Sequence, residues 1–250
     1  MENFIHQDAQ IARDVKIGRF SVIEAGVIIG EGTIIGHHVI IHKGSKIGSC
    51  VRIDDNAVVG KLPMSAKRSK MTQAGRVIDP VSVGDDCIIG TGAVVYAGSV
   101  IGKGVLIADT ASVREDVHIG DYTIIGRNAT IENRVTVGAR CKIQTDVYIC
   151  AYSKIGDDCF IAPCVATSND NFAGRWKGRT KHYKGVTVQN GGRIAVNATI
   201  LPGKMIACDG MAAAGAVVTK DIPESLIVCG NPAKPMRVVP ENQLLKNQED

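Results

Sequence analysis

Residues Val83–Ile125 read VGDDCIIGTGAVVYAGSVIGKGVLIADTASVREDVHIGDYTII, and every sixth residue of the stretch is Val or Ile: Val83, Ile89, Val95, Ile101, Ile107, Val113, Ile119 and Ile125. An amphipathic helix asks for a period near 3.6 and an isolated strand for a period of two, so a period of six belongs to a stacked structural repeat. Working outward, the same phase continues to Ile161, and an earlier tract runs from Ile5 to Val59 without a miss. A third tract, shifted in phase, holds Val188, Ile194, Ile200 and Ile206, fails at Ala212 and recovers at Val218. Thirty sites in the three tracts carry twenty-nine β-branched aliphatic residues.

The residue after each aliphatic is commonly Gly, Ala, Asp or Glu, and the fourth residue after it is small or branched, as at Ser21, Val27, Thr33, Ala93, Ser99 and Val105. That pattern predicts a parallel β-helix: short strands joined by tight turns, three to a coil, with the aliphatics inside. At eighteen residues per coil the tracts give about nine to ten coils, a prism roughly 45 Å long. Cys87, Cys141 and Cys159 fall on the small inward position and are expected to be core packing rather than chemistry. The other thiols, Cys50, Cys150, Cys164, Cys208 and Cys229, show neither CxxC spacing nor a shared cluster with histidine, so no metal is expected.

Composition agrees with such a fold. Aromatics are 4% of the 250 residues against 45% hydrophobic content, so aliphatic chains must fill the core. No apolar run reaches the roughly 18 residues that cross a bilayer, and MENFIHQDAQ lacks the marks of a signal peptide, which predicts a soluble, cytoplasmic protein with reduced thiols and no membrane partner. A net charge of +4 is too small to suggest nucleic acid as a partner.

Chemistry is expected where the repeat is interrupted. Residues 60–80 read GKLPMSAKRSKMTQAGRVIDP and carry Lys61, Lys67, Arg68, Lys70 and Arg76. Residues 167–186 read TSNDNFAGRWKGRTKHYKGV and carry Arg175, Lys177, Arg179, Lys181 and Lys184 beside His182 and the only tryptophan, Trp176. Loops collect solvated lysines for ordinary reasons; concentrated here, the basic residues also suit phosphates on a small molecule.

The hexapeptide tracts followed by AAGAVVTKDIPESLIVCGNPAK (213–234) resemble the acyl-coenzyme A-dependent acyltransferases of the left-handed β-helix family, and KIQTDVYICAYSKIGDDCFIAPCVATSND (142–170) is similar to the nucleotide-sugar N-acyltransferases within it. The resemblance covers about residues 5–240 and supplies the handedness, which the period does not. It implies an all-β left-handed parallel β-helix over residues 1–240 with a short helix in 241–250, a homotrimer with sites shared between neighbours, and transfer of an acetyl group from acetyl-coenzyme A to the amine of a nucleoside-diphosphate-linked amino sugar. By matched position, Ala214 and Gly215 would meet the pantetheine arm, and Lys220, Asn231, Pro232, Lys234 and Arg237 the adenosine and phosphate end. Asn169 would sit near the reacting amine, or merely cap the turn. His182 is the candidate general base. Arg114, Gln144 and Tyr152 are candidate acceptor contacts, as are Lys177, Arg179 and Lys181 through the phosphates, and Glu132 lies on a coil that could line the same cleft. Some relatives carry a carboxylate one coil before the asparagine; here Ala151 stands at that place.

Two other readings compete with a transferase of this kind. His37 and His42, in IGHHVIIHKG, resemble two zinc ligands of the γ-class carbonic anhydrases, though only His6 stands upstream as a third. A catalytically silent trimeric scaffold is the other, alongside hexapeptide acyltransferases with hydroxyl or amino-acid acceptors.

Overall fold

The computed structural model describes residues 2–64 and 76–248, and within them the six-residue period is a three-sided parallel coil. Each strand is short, typically two residues, with the aliphatic of each pair inward and its neighbour outward, as in Ile124–Ile125 and Thr136–Val137. Successive coils pair eighteen residues apart: Val94–Val95 lies on Ser112–Val113, and that on Thr130–Ile131. Face 1 stacks eleven strands from Phe4–Ile5 to Val217–Val218, and face 2 stacks ten from Gln10–Ile11 to Met205–Ile206. Face 3 stacks eleven parallel strands from Lys16–Ile17 to Leu226–Cys229 and adds Lys234–Val238 antiparallel as a twelfth.

The interior is a column of Ile and Val; Ile89, Ile107, Ile125, Ile131, Ile143 and Ile149 are all fully enclosed. Cys87, Cys141 and Cys159 are buried as expected, each thiol donating toward a carbonyl of the next coil, such as Cys141 to Gly156 at 2.9 Å. Ala212, the one break in the period, still pairs in its strand, because a small inward residue costs a coil little more than contact area.

The coil count differs from expectation. Face 2 has its eleventh place filled by the single bridge between Ile206 and Ile222, so the prism has about eleven coils, roughly 50 Å in length, rather than nine to ten. Thr167, Ile222 and Val228 fill inward places that the aliphatic period does not show. The tail also differs: 241–248 makes two isolated 3-10 turns, Glu241–Gln243 and Leu245–Asn247, since so short a segment cannot nucleate an α-helix by itself. Its Leu244 packs on Ile227 and Val239.

The three edges differ in what they can hold. At the edge from face 2 to face 3 glycines stack, and a Cβ on Gly120 would lie 2.6 Å from the Ala139 nitrogen of the next coil. Those glycine positions have no room for a side chain. The edge from face 1 to face 2 carries Tyr96, Arg114 and Glu132 at the corresponding place.

Candidate active site

Both basic excursions leave the prism at the same edge, between face 1 and face 2. The first follows Val58–Lys61 and rejoins at Ser82–Val83; the second follows Ala166–Thr167 and rejoins at Thr187–Val188. Five coils separate their origins, about 24 Å along the axis. Lys67, Arg68 and Lys70 lie outside the described residues. Arg76 comes back along the edge to chelate Asp116 at 2.5 and 3.1 Å.

Between the excursions the edge repeats every eighteen residues, and it carries Tyr96, Arg114 and Glu132 where the edge from face 2 to face 3 carries glycine. Arg114 lies 5.0 Å above the Tyr96 ring, pairs with Glu115 at 3.0 Å and reaches Glu132 at 3.5 Å. Burial opposes the Arg114 charge, yet Glu115 and Glu132 outweigh it and hold the guanidinium protonated. Glu115 and Asn133 are almost wholly enclosed, at 4% and 3% exposure, which is unusual for their types. Nearby, burial and the Glu132 carboxylate push the Tyr148 phenol up to about 12, with Arg114 acting in the opposite sense. Arg134 stacks 5.7 Å over Tyr152 and approaches Asp116 at 3.8 Å, which continues the ladder toward the second excursion.

At the far end stands Asn169, on the same column as Glu115, Asn133 and Ala151. Its amide nitrogen points at the Ala151 carbonyl at a long 3.5 Å, while its side-chain oxygen accepts nothing among the described residues. The backbone carbonyl of Asn169 accepts from Lys184 at 3.1 Å and closes the loop at its neck. Asp170 organises the loop by accepting from the backbone of Phe172 at 2.8 Å and Gly174 at 3.0 Å and by pairing with Arg179 at 3.3 Å. Desolvation raises the Asp170 carboxyl, but the Gly174 and Phe172 amides and the Arg179 charge prevail and hold it below the ordinary carboxylate range. Arg179 also donates to the Tyr183 hydroxyl at 3.1 Å and the Trp176 carbonyl at 3.3 Å, so its guanidinium is engaged in bracing the loop. The His182 ring makes no hydrogen bond among the described residues; it packs with Trp176 and Phe172 at 5.2 and 5.9 Å between centroids.

The sequence-derived candidates thus divide between two edges. Asn169, His182, Arg114, Tyr152, Lys177, Arg179, Lys181 and Lys220 belong to the edge between faces 1 and 2. Gln144, Ala214 and Gly215 lie on the edge between faces 3 and 1, and the Asn231–Pro232 turn folds beside it, its flanking Gly230 carbonyl and Ala233 amide both bonding Val217. Lys234 and Arg237 sit on the antiparallel strand that caps face 3. On that second edge the backbone N–H groups of Val196 and Ala214 have no acceptor among the described residues, and a Cβ at Gly215 would meet nothing within 4 Å. Open N–H groups along a smooth edge suit an extended, amide-bearing ligand that pairs as another strand would.

Sequence reasoning missed Tyr96, Glu115 and Asn133. The available signal was the column Tyr96, Arg114, Glu132, Cys150, Ser168, spaced by eighteen, at the place where the edge from face 2 to face 3 carries Gly84, Gly102, Gly120, Gly138 and Gly156. The histidines of the zinc reading are not gathered. His37 follows a strand of face 3 and accepts from the Arg19 amide at 2.9 Å, whereas His42 follows a strand of face 1 and contacts Glu24 at 3.2 Å. Among the described residues no group of three His, Cys, Asp or Glu is placed to hold a metal ion.

Comparison with known proteins bears on the repeat and the fold. The repeat described as "Bacterial transferase hexapeptide (six repeats)" matches residues 8–43 and 98–133. A Schizosaccharomyces pombe protein named "Putative acetyltransferase" is 38% identical over 80 residues, which is 32% of this chain and 38% of the relative, so the match spans well under half of that protein. Among solved structures, the Arabidopsis UDP-N-acetylglucosamine acyltransferase superposes with a TM-score of 0.53 at 18% identity, covering 98% of this chain and 75% of the other. The UDP-N-acetylglucosamine acyltransferase of Bacteroides fragilis gives 0.51 at 19% identity, covering 94% and 72%. At such identities the likeness is one of fold. With the repeat matched in two separate stretches and the coil continuous along the described chain, this protein is a hexapeptide-repeat left-handed parallel β-helix.

Proposed function

We propose that the protein is an acyltransferase that moves an acetyl group from acetyl-coenzyme A to the amine of a nucleoside-diphosphate-linked amino sugar. The observation that carries the reading is the division of the candidate residues between the two edges of one face. The edge from face 3 to face 1 offers open backbone N–H groups at Val196 and Ala214, suited to a pantetheine arm. The edge from face 1 to face 2 offers Asn169 and a basic loop, suited to an amine carried by a diphosphate. Face 1 itself is uncharged: its outward residues are Phe4, Val22, Ile40, Val58, Val94, Ser112, Thr130, Tyr148, Ala166, Thr199 and Val217. The outward rows of faces 2 and 3 include Lys46, Lys154, Arg52 and Lys142. If face 1 turns toward a threefold axis, the 1–2 edge of each copy meets the 3–1 edge of its neighbour. The homotrimer is then what completes a site, and one chain alone holds only its halves.

The chemistry asks little of the protein. The amine attacks the thioester carbonyl, a C–N bond forms as the C–S bond breaks, and the proton lost by nitrogen ends on the departing thiol. A thioester is already activated, so alignment supplies much of the acceleration. The side-chain oxygen of Asn169 can accept from the amine and aim its lone pair. Eight unpaired cysteines fit the reducing conditions of the cytoplasm, where such substrates would be met.

The test is thiol release from acetyl-coenzyme A against a panel of nucleotide sugars with and without an amine. Release confined to amine-bearing sugars is expected. Release with hydroxyl or amino-acid acceptors would move the protein to another acyltransferase class, and failure to bind any acyl-coenzyme A would leave a trimeric scaffold.

A further inference from the structure

The second excursion holds Phe172, Trp176 and His182 as a cluster of touching rings that stays exposed. Its backbone is fixed by polar contacts, through the Asp170 carboxylate and the Arg179 brace. The rings touch, Phe172 to Trp176 at 5.0 Å and Trp176 to His182 at 5.2 Å, yet Trp176 stays 53% exposed and Phe172 38%. A miniature core would bury them. Trp176 also adopts φ +75°, a left-handed backbone conformation that a bulky residue rarely takes. Its indole is laid over Gly178, where a Cβ would come within 2.7 Å of the ring. One side of the indole is therefore seated on backbone while the rest of the cluster faces outward.

Charge narrows what could cover it. The loop carries Arg175, Lys177, Arg179, Lys181 and Lys184 against the single acid Asp170, which Arg179 engages. An aromatic surface with a cationic rim fits a planar ring joined to phosphates better than it fits an aliphatic or a cationic partner. We propose that Phe172, Trp176 and His182 form a stacking platform for the heterocycle of a nucleoside diphosphate, with Arg175, Lys177 and Lys181 taking the phosphates. The inference deepens the nucleotide-sugar reading and rests on it for the expectation that a nucleotide visits this edge.

Because Trp176 is the only tryptophan, its emission reports on the platform without a label. Titration of the full-length protein with UDP or GDP is expected to give a saturable fall in emission, and pyrophosphate none. A response to 3′,5′-ADP and coenzyme A, with none to UDP or GDP, would assign the platform to the donor's adenine instead of the acceptor's base. Phe172→Ala should weaken the nucleotide by about tenfold and leave pyrophosphate competition unchanged, as loss of one stacking partner predicts. Gly178→Ala should shift the emission and weaken the nucleotide similarly, by lifting the indole. The proposal is overturned by emission that no nucleotide moves, by an equal response to pyrophosphate, or by emission that changes only on dilution of the protein, the mark of contact between copies. Thiol release from acetyl-coenzyme A is measured separately. Release without an emission change would remove the platform and keep the transferase, and the converse would do the opposite.

Discussion

Asn169 leaves its side-chain oxygen unengaged at the point where the coil opens into the basic loop, and His182 lodges its ring among two other rings. An asparagine cannot take a proton at neutral pH, so its contribution would be alignment. Asn169→Ala should lower the turnover number by roughly ten- to a hundredfold, about 1.4 to 2.8 kcal/mol of transition-state stabilisation, whereas His182→Asn should stay within a few fold. A thousandfold loss at His182 would reverse the two roles. The buried thiols give an independent check on register. Burial lifts the Cys87 thiol, and contact with the Cys141 thiol together with burial lifts Cys159, so thiolate is scarce at both. All three inward cysteines should resist alkylation in the folded protein, and each Cys→Ala replacement should cost about 1 kcal/mol of stability without loss of turnover. Rapid native labelling of all three would mean that the inward and outward positions are exchanged.

At the scale of the loop, Asp170 is the residue on which the second excursion turns. Its folded carboxyl lies below its ordinary value of 3.8, so its contribution is fully present above the ordinary range and is lost as pH falls through the depressed value. The loop should therefore keep protected amides at Phe172 and Gly174 through mildly acidic pH. Asp170→Asn should free them at neutral pH, as read by hydrogen exchange, while the core strands stay protected. Unchanged protection in that variant would show that the neck contact of Asn169 with Lys184 suffices. The sequence made the excursions legible to within a residue or two, because the β-branched period stops and restarts around them. It concealed the inward places at Thr167, Ile222 and Val228. Thr167 occupies an inward place where a polar residue is not expected, and its hydroxyl is satisfied locally, donating to the Tyr148 carbonyl at 3.1 Å and accepting from the Cys150 amide at 2.7 Å. Ile222 escapes the period because the corner before it, at Thr219–Asp221, is two residues short of the usual spacing. The aromatic cluster and the enclosed Glu115 were illegible for a different reason: their surroundings depend on which edge a residue occupies, and a period of six assigns residues to the inside or outside without distinguishing the three edges.

The whole molecule is asymmetric across its faces, and that asymmetry carries the assembly prediction. If uncharged face 1 is the contact surface, the protein should sediment at about three times 26.5 kDa. Thr130→Lys, in the middle of that face between Ser112 and Tyr148, should yield folded monomers, since a charge there would be desolvated in the assembly. A trimer that survives the substitution would place the contact on another face. The same architecture has a mechanical side. Along its strand ladders each coil bonds only to the one before and the one after it, so tension applied along the axis loads the ladders one at a time. Pulled from its ends, the prism should yield like a peeled spring, in steps of eighteen residues that each release roughly 60 Å of chain.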